Sequence, residues 1–120
     1  MADGTIYAGI SPDTGKKIYT TPADAGLTMK WKRAMDYAAD LKAHGYQDWR
    51  VPTRGELNVL YENRDKGELK GTFNVTGSFP AGWYWSSSEH DSLIAWDQRF
   101  SDGNDYWVSK YFASSLRCVR

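Results

Sequence analysis

From Gly82 onward the chain stops repeating at helical spacing and alternates with a period of two, while large rings crowd onto the alternating positions. Side chains on a strand point to opposite faces in turn, so such a stretch calls for pleated sheet. Residues 83–88, 95–100 and 106–111 read as three strands. Ser101-Asp102-Gly103-Asn104-Asp105 between the last two has the chemistry of a hairpin turn. Residues 116–120 read as a final strand. Of the 18 Trp, Tyr and Phe residues in this 120-residue chain, nine lie between Trp83 and Arg120. That crowding is what a function must explain.

The preceding residues are organised differently. Residues 5–10 and 17–20 are β-prone runs, and Ser11-Pro12-Asp13-Thr14-Gly15 between them supplies turn residues, so the N-terminus reads as a hairpin. Residues 21–27 are a turn-rich loop. Trp31, Ala34, Met35, Ala38 and Leu41 then recur at three- and four-residue spacing, which predicts a helix with one apolar face, capped by Thr28 and stopped by Gly45. His44 is expected to sit at its C-terminal end. Residues 46–52 form an extended link. Thr53-Arg54-Gly55-Glu56 has capping-box spacing and opens a second, shorter helix with Leu57, Leu60 and Tyr61 on one side. Residues 67–82 read as loop anchored by Phe73 and Phe79. The length suits one domain over residues 1–120, and the order of elements is α+β: an N-terminal hairpin, two helices and a C-terminal antiparallel β-meander.

Several function classes are disfavoured. The 15 Lys and Arg balance the 15 Asp and Glu. Nucleic-acid binding is driven by clustered basic residues, so no such partner is expected, and Lys30, Lys32 and Arg33 read as a solvated helix face. No apolar run nears the roughly 18 residues of a membrane span, so no membrane insertion is expected. Met1-Ala2-Asp3-Gly4 has neither region of a secretory signal, which leaves a cytoplasmic chain, a virion component or a domain of a longer surface protein. The single cysteine, Cys118, precludes an internal disulfide and a cysteine-based zinc site.

Asp48-Trp49-Arg50-Val51-Pro52-Thr53 followed by Glu56-Leu57 resembles the signature of a bacterial family, the C-terminal domain of a collagen-like adhesin (Lcl C-terminal domain). Gly71-Thr72-Phe73, Tyr84-Trp85-Ser86-Ser87-Ser88-Glu89, Ala95-Trp96 with Phe100 and Gly103, Lys110, and the closing Arg117-Cys118-Val119-Arg120 extend the likeness over nearly the whole chain. Val51 stands where Leu is more usual, a volume-tolerant change. The resemblance implies a C-type-lectin-like fold in which terminal strands pair, with ligand binding from the C-terminal sheet and its loops. It places relatives on bacterial surfaces, in adhesins and in phage-associated proteins, some of them variable proteins of diversity-generating retroelements. A structural or assembly role in a surface or virion protein is the alternative it leaves open.

Catalytic readings are weaker. A distant likeness to the formylglycine-generating oxidases lacks the pair of reactive cysteines that their chemistry needs, and Cys118 in a strand-like run reads as a buried thiol. Ser86 to Ser88 lie outside a nucleophile elbow, and His44 and His90 are the only histidines available to them. No enzyme, cofactor or metal is expected. Asp102, Asn104 and Asp105 read as a turn rather than calcium ligands, and the sugar-binding calcium motifs of C-type lectins are missing.

A binding surface remains. Alternation puts Asp97, Arg99 and Ser101 on one face, with Trp96, Gln98 and Phe100 on the other. The family's frame includes Trp96 and Phe100, so these are assigned to the core together with Trp49 and Trp85, and Asp97 and Arg99 point outward. Trp107, Ser109 and Tyr111 share a face by the same rule. The predicted contact set is His90, Asp91, Ser92, Asp97, Arg99, Asp105, Trp107, Ser109 and Tyr111, facing a saccharide or protein ligand on a cell surface.

Overall fold

The computed structural model describes residues 3–120; Met1 and Ala2, which the span 1–120 and the reading of the N-terminus include, lie outside them. Strands β1 (Ile6–Ile10) and β2 (Lys17–Thr20) precede helices α1 (Trp31–Asp40) and α2 (Arg54–Glu62). A single 3₁₀ turn at Gly67–Leu69 follows, then β3 (Trp83–Glu89), β4 (Ile94–Arg99) and β5 (Asp105–Ser109). Both sheets are antiparallel, β1-β2 and β3-β4-β5, so the α+β reading holds.

The capping box of α2 forms as its spacing predicts. The Thr53 hydroxyl accepts from the Glu56 amide at 3.2 Å, and the Glu56 carboxylate accepts from the Thr53 amide at 3.0 Å. Glu56 is buried and also takes two hydrogen bonds from the Arg50 guanidinium, at 2.5 and 2.8 Å. Burial opposes its charge, but the Arg50, Thr53 and Ser11 hydrogen bonds outweigh it and hold the carboxyl at about 2.

Helix α1 departs from expectation at both ends. Thr28 does not cap it; Lys30 occupies that position without a side-chain bond, and the Trp31 amide donates to the Lys110 carbonyl at 3.1 Å. A tertiary partner has replaced the local one. The helix stops at Asp40, ahead of Gly45, which serves with His44 in a left-handed turn closed by Ala43 and Tyr46. His44 therefore does not end the helix; its ring meets the Asp3 carbonyl and Trp49.

The last residues are not a strand. Val119 bridges Thr20 on one side and Arg50 on the other, and Ser115 lies parallel to Tyr84. The segment changes partner at nearly every step, so no continuous ladder develops, yet it joins both sheets. Arg117 is fully buried within it. Its guanidinium pairs with Asp24 at 2.9 Å, donates to the Thr21 and Thr72 carbonyls, and lies 4.0 Å from the centre of the Phe73 ring. Asp24 in turn accepts from the Tyr84 hydroxyl at 2.6 Å. Phe73 is a buried anchor of the long loop; Phe79, expected to be another, is largely exposed.

Two cores flank the three-stranded sheet. One gathers Leu57, Leu60, Phe73, Tyr84 and Phe100 with Ile6 and Ile18; the other gathers Ala34, Ala38, Trp49, Trp85, Ala95 and Leu116. Tyr84 and Trp85 are adjacent in sequence and so face opposite ways. Helix α2 thus lies against one face and α1 against the other. Each core covers only part of its face, and the uncovered parts are two corners on opposite sides of the sheet.

Candidate functional site

The first corner is built on the face that α2 covers. Trp96 on β4 is directly opposite Trp107 on β5, and their rings meet edge to face with centres 5.1 Å apart. Arg54, the first residue of α2, lays its guanidinium 3.5 Å from the centre of the Trp96 ring and pairs through Nε with Asp105 at 2.5 Å. His90, just beyond β3, stacks on Trp107 with ring centres 4.9 Å apart. Trp107 is 54% exposed although it packs against both His90 and Trp96, whose own ring centres lie 6.3 Å apart. The result is a cluster of planar groups, with Trp96, Trp107 and His90 in mutual contact, Arg54 against Trp96, and carboxylates at its margin.

The second corner lies on the opposite face. Trp83 is paired with Arg99, and Tyr106 is paired with Asp97. Trp83 and Tyr106 belong to strands that are not neighbours, yet their ring centres are 5.0 Å apart. They must therefore lean toward each other across β4, over Asp97 and Arg99. Phe79 packs edge-on against Trp83 and also against Phe112, extending the apolar surface. Arg99 pairs with Asp102 and sits 5.1 Å from the centre of the Trp83 ring.

The predicted contact residues divide between these places. His90, Asp105 and Trp107 come together at the first corner, with Ser109 on the same sheet face. Asp91 caps the β3–β4 turn, accepting from the Leu93 and Ile94 amides, bonds that hold its carboxyl below the usual range. Ser92 offers its carbonyl to Lys110 in the same turn. Arg99 is at the second corner. Tyr111 is exposed but does not share the face of Trp107: β5 ends at Ser109, a turn follows, and the ring lies near Lys30 at the start of α1.

Asp97 is the clearest correction. It was expected to face outward and is 1% exposed. Trp96, assigned to the core, is only half-buried at the first corner. The assumption behind both was a sheet with one covered face; here both faces are partly covered, and β4 crosses from one core to the other. Gln98 is buried as well, donating to Asn58 and to the Gly103 carbonyl at 2.9 Å each. Burial pushes the Asp97 carboxyl up to about 7, the Ser114 hydroxyl pulls it back, and the charge of Asp105 adds to the rise. Neither carboxylate oxygen receives a well-formed hydrogen bond.

Arg54, Tyr106, Phe112 and Ser114 were absent from the predicted set. Only Arg54 carried a usable signal, its place at the opening of a capped helix beside the meander. The turn reading of Asp102, Asn104 and Asp105 agrees with the geometry: Asp102 accepts from the Asn104 amide and binds Arg99, while Asp105 is held by Arg54.

The family model for the Lcl C-terminal domain matches residues 13–120. The chain belongs to this family. No match was found among curated proteins. The Lcl C-terminal domain is adhesin-like and is not an enzyme family. In this Lcl C-terminal domain Cys118 is the buried thiol expected: burial pushes it up to about 12, leaving almost no thiolate near neutral pH. Ser86 and Ser88 are likewise engaged, the first donating to the Trp96 carbonyl and the second accepting from the Arg54 amide.

Proposed function

We propose that this Lcl C-terminal domain is a non-enzymatic binding module that meets a saccharide or protein on a cell surface through its C-terminal sheet. The observation that carries the reading is Trp107, a half-exposed indole packed against both Trp96 and His90. A ring fixed before its ligand arrives offers large apolar contact at small entropic cost. Arg54 and Asp105 beside it supply charged hydrogen-bonding groups, the combination that a sugar ring or a polar protein surface needs. A glycan array read with and without calcium, paired with pull-down from host surfaces, identifies the ligand. Trp107→Ala is expected to weaken the captured interaction at least tenfold while the fold is retained. Unchanged binding by that variant would remove the first corner from the contact surface.

A sharper form of the reading is a receptor-binding variable protein of a diversity-generating retroelement on a C-type-lectin-like scaffold. Its support is the interleaving of buried Trp85, Ala95, Phe100 and Cys118 with surface positions such as Arg99, Ser101, Trp107 and Tyr111. A template repeat beside the gene, differing from it mainly at adenines, is the expected finding; its absence would eliminate this form.

A further inference from the structure

Among the described residues, the buried side-chain polar atoms without a partner all belong to Trp83, Asp97 and Ser114. Asp97 and Trp83 share a sheet face by strand register, and Ser114 approaches the Asp97 carboxylate closely enough to influence its proton. The unsatisfied groups therefore gather in one place, beneath the Trp83–Tyr106 ring pair. A buried carboxylate lacking donors is costly, and a structure that keeps one calls for a group to meet it. The surface above is aromatic and open, with Tyr106 41% and Phe112 51% exposed.

We propose that the Trp83–Tyr106 corner is a second binding site, taking an alkylammonium group of the kind a lysine side chain of a protein partner presents. Three properties select that chemistry. An ammonium brings three donors and no acceptor, which suits the two free oxygens of Asp97 and the hydroxyl of Ser114. Aromatic faces attract cations, and Arg99 already holds its guanidinium over Trp83 in this way. The methylene chain behind the charge matches the exposed faces of Tyr106 and Phe112. An anionic group is disfavoured by Asp97, and the Arg99 charge is balanced by Asp102. The site is independent of the Trp107 corner, which is on the other side of the sheet.

The indole N–H of Trp83 has no partner and serves as the reporter. Titration of the ¹⁵N-labelled chain with n-butylammonium at constant ionic strength should give a saturable shift of the Trp83 indole resonance, with Trp107 unmoved. Asp97→Asn should weaken the apparent affinity at least tenfold, and Tyr106→Ala, at an exposed position, severalfold; the Trp49 indole resonance checks that each variant is folded. An equal response to n-butanol would mean a merely apolar patch and would overturn the proposal. A shift confined to Trp107, or one undiminished in both variants, would do the same. A stronger response to glucosamine than to n-butylammonium would overturn the lysine assignment. So would concentration-dependent self-association that alone shifts Trp83, since the patch would then be an interface between copies.

Discussion

Two buried carboxyls pull the stability of this molecule in opposite directions as pH changes. Asp97 has its folded pKa raised to about 7, so folding favours its protonated form. Its contribution is favourable below the unfolded pKa and is lost as pH rises through about 7. Asp97→Asn should therefore gain about 2–4 kcal/mol over the parent at pH 8 and nothing at pH 4, read from urea unfolding at both values. Glu56, held at about 2, behaves in reverse: its stabilisation is present above the unfolded carboxylate range and is lost as pH falls through about 2. The two contributions together favour a stability maximum near pH of about 4. Glu56→Gln should cost about 3 kcal/mol at neutral pH by leaving Arg50 without its counter-charge and weakening the α2 cap. Neither role was fully legible in the sequence. The spacing of Thr53 and Glu56 states the cap, whereas nothing local in the sequence states the pairing of Glu56 with Arg50. Asp97 was misplaced because alternation states which residues share a face, not which face is covered.

Elements were more readable than residues, for a physical reason. The β1–β2 hairpin, the apolar stripe of α1, the cap of α2 and all three strands of the meander rest on local spacing, and local spacing is visible in sequence. Thr53→Ala should lower stability by about 1 kcal/mol through the lost cap, measured by chemical denaturation. What failed at this scale was decided by distant partners. Lys110 satisfies the first amide of α1, so Thr28 is not needed as its cap; residues 115–119 draw hydrogen bonds from several separate segments, so no strand develops. The β4–β5 turn shows local chemistry and packing acting together. Gly103 has φ +80°, and a Cβ there would overlap the Tyr61 ring. Gly103→Ala is expected to destabilise by about 1–3 kcal/mol and to shift the β4–β5 resonances more than those of β1–β2.

At the scale of the whole molecule, the sheet lies between two cores and leaves two aromatic corners facing away from each other. The compositional crowding of rings thus divides: Trp49, Trp85, Tyr84 and Phe100 build the cores, while Trp96 with Trp107 and Trp83 with Tyr106 build the corners. The division depends on which helix covers which face, and no stretch of sequence states that. Arg117 holds the loops to the core. Arg117→Met should destabilise by about 3–5 kcal/mol, seen as a large drop in the urea midpoint, because Asp24 loses its partner in a half-buried site. The segment that carries Arg117 has one further consequence. Tyr19 exchanges two hydrogen bonds with Arg120, and Arg50 exchanges two with Val119. These contacts span most of the chain, so the loop they close is large and the transition to the native state should be slow for a domain of this size. During synthesis the hairpin and helices emerge first and wait for the seam that joins them. Residues 115–120, which follow them, are the ones that lock the rest in place.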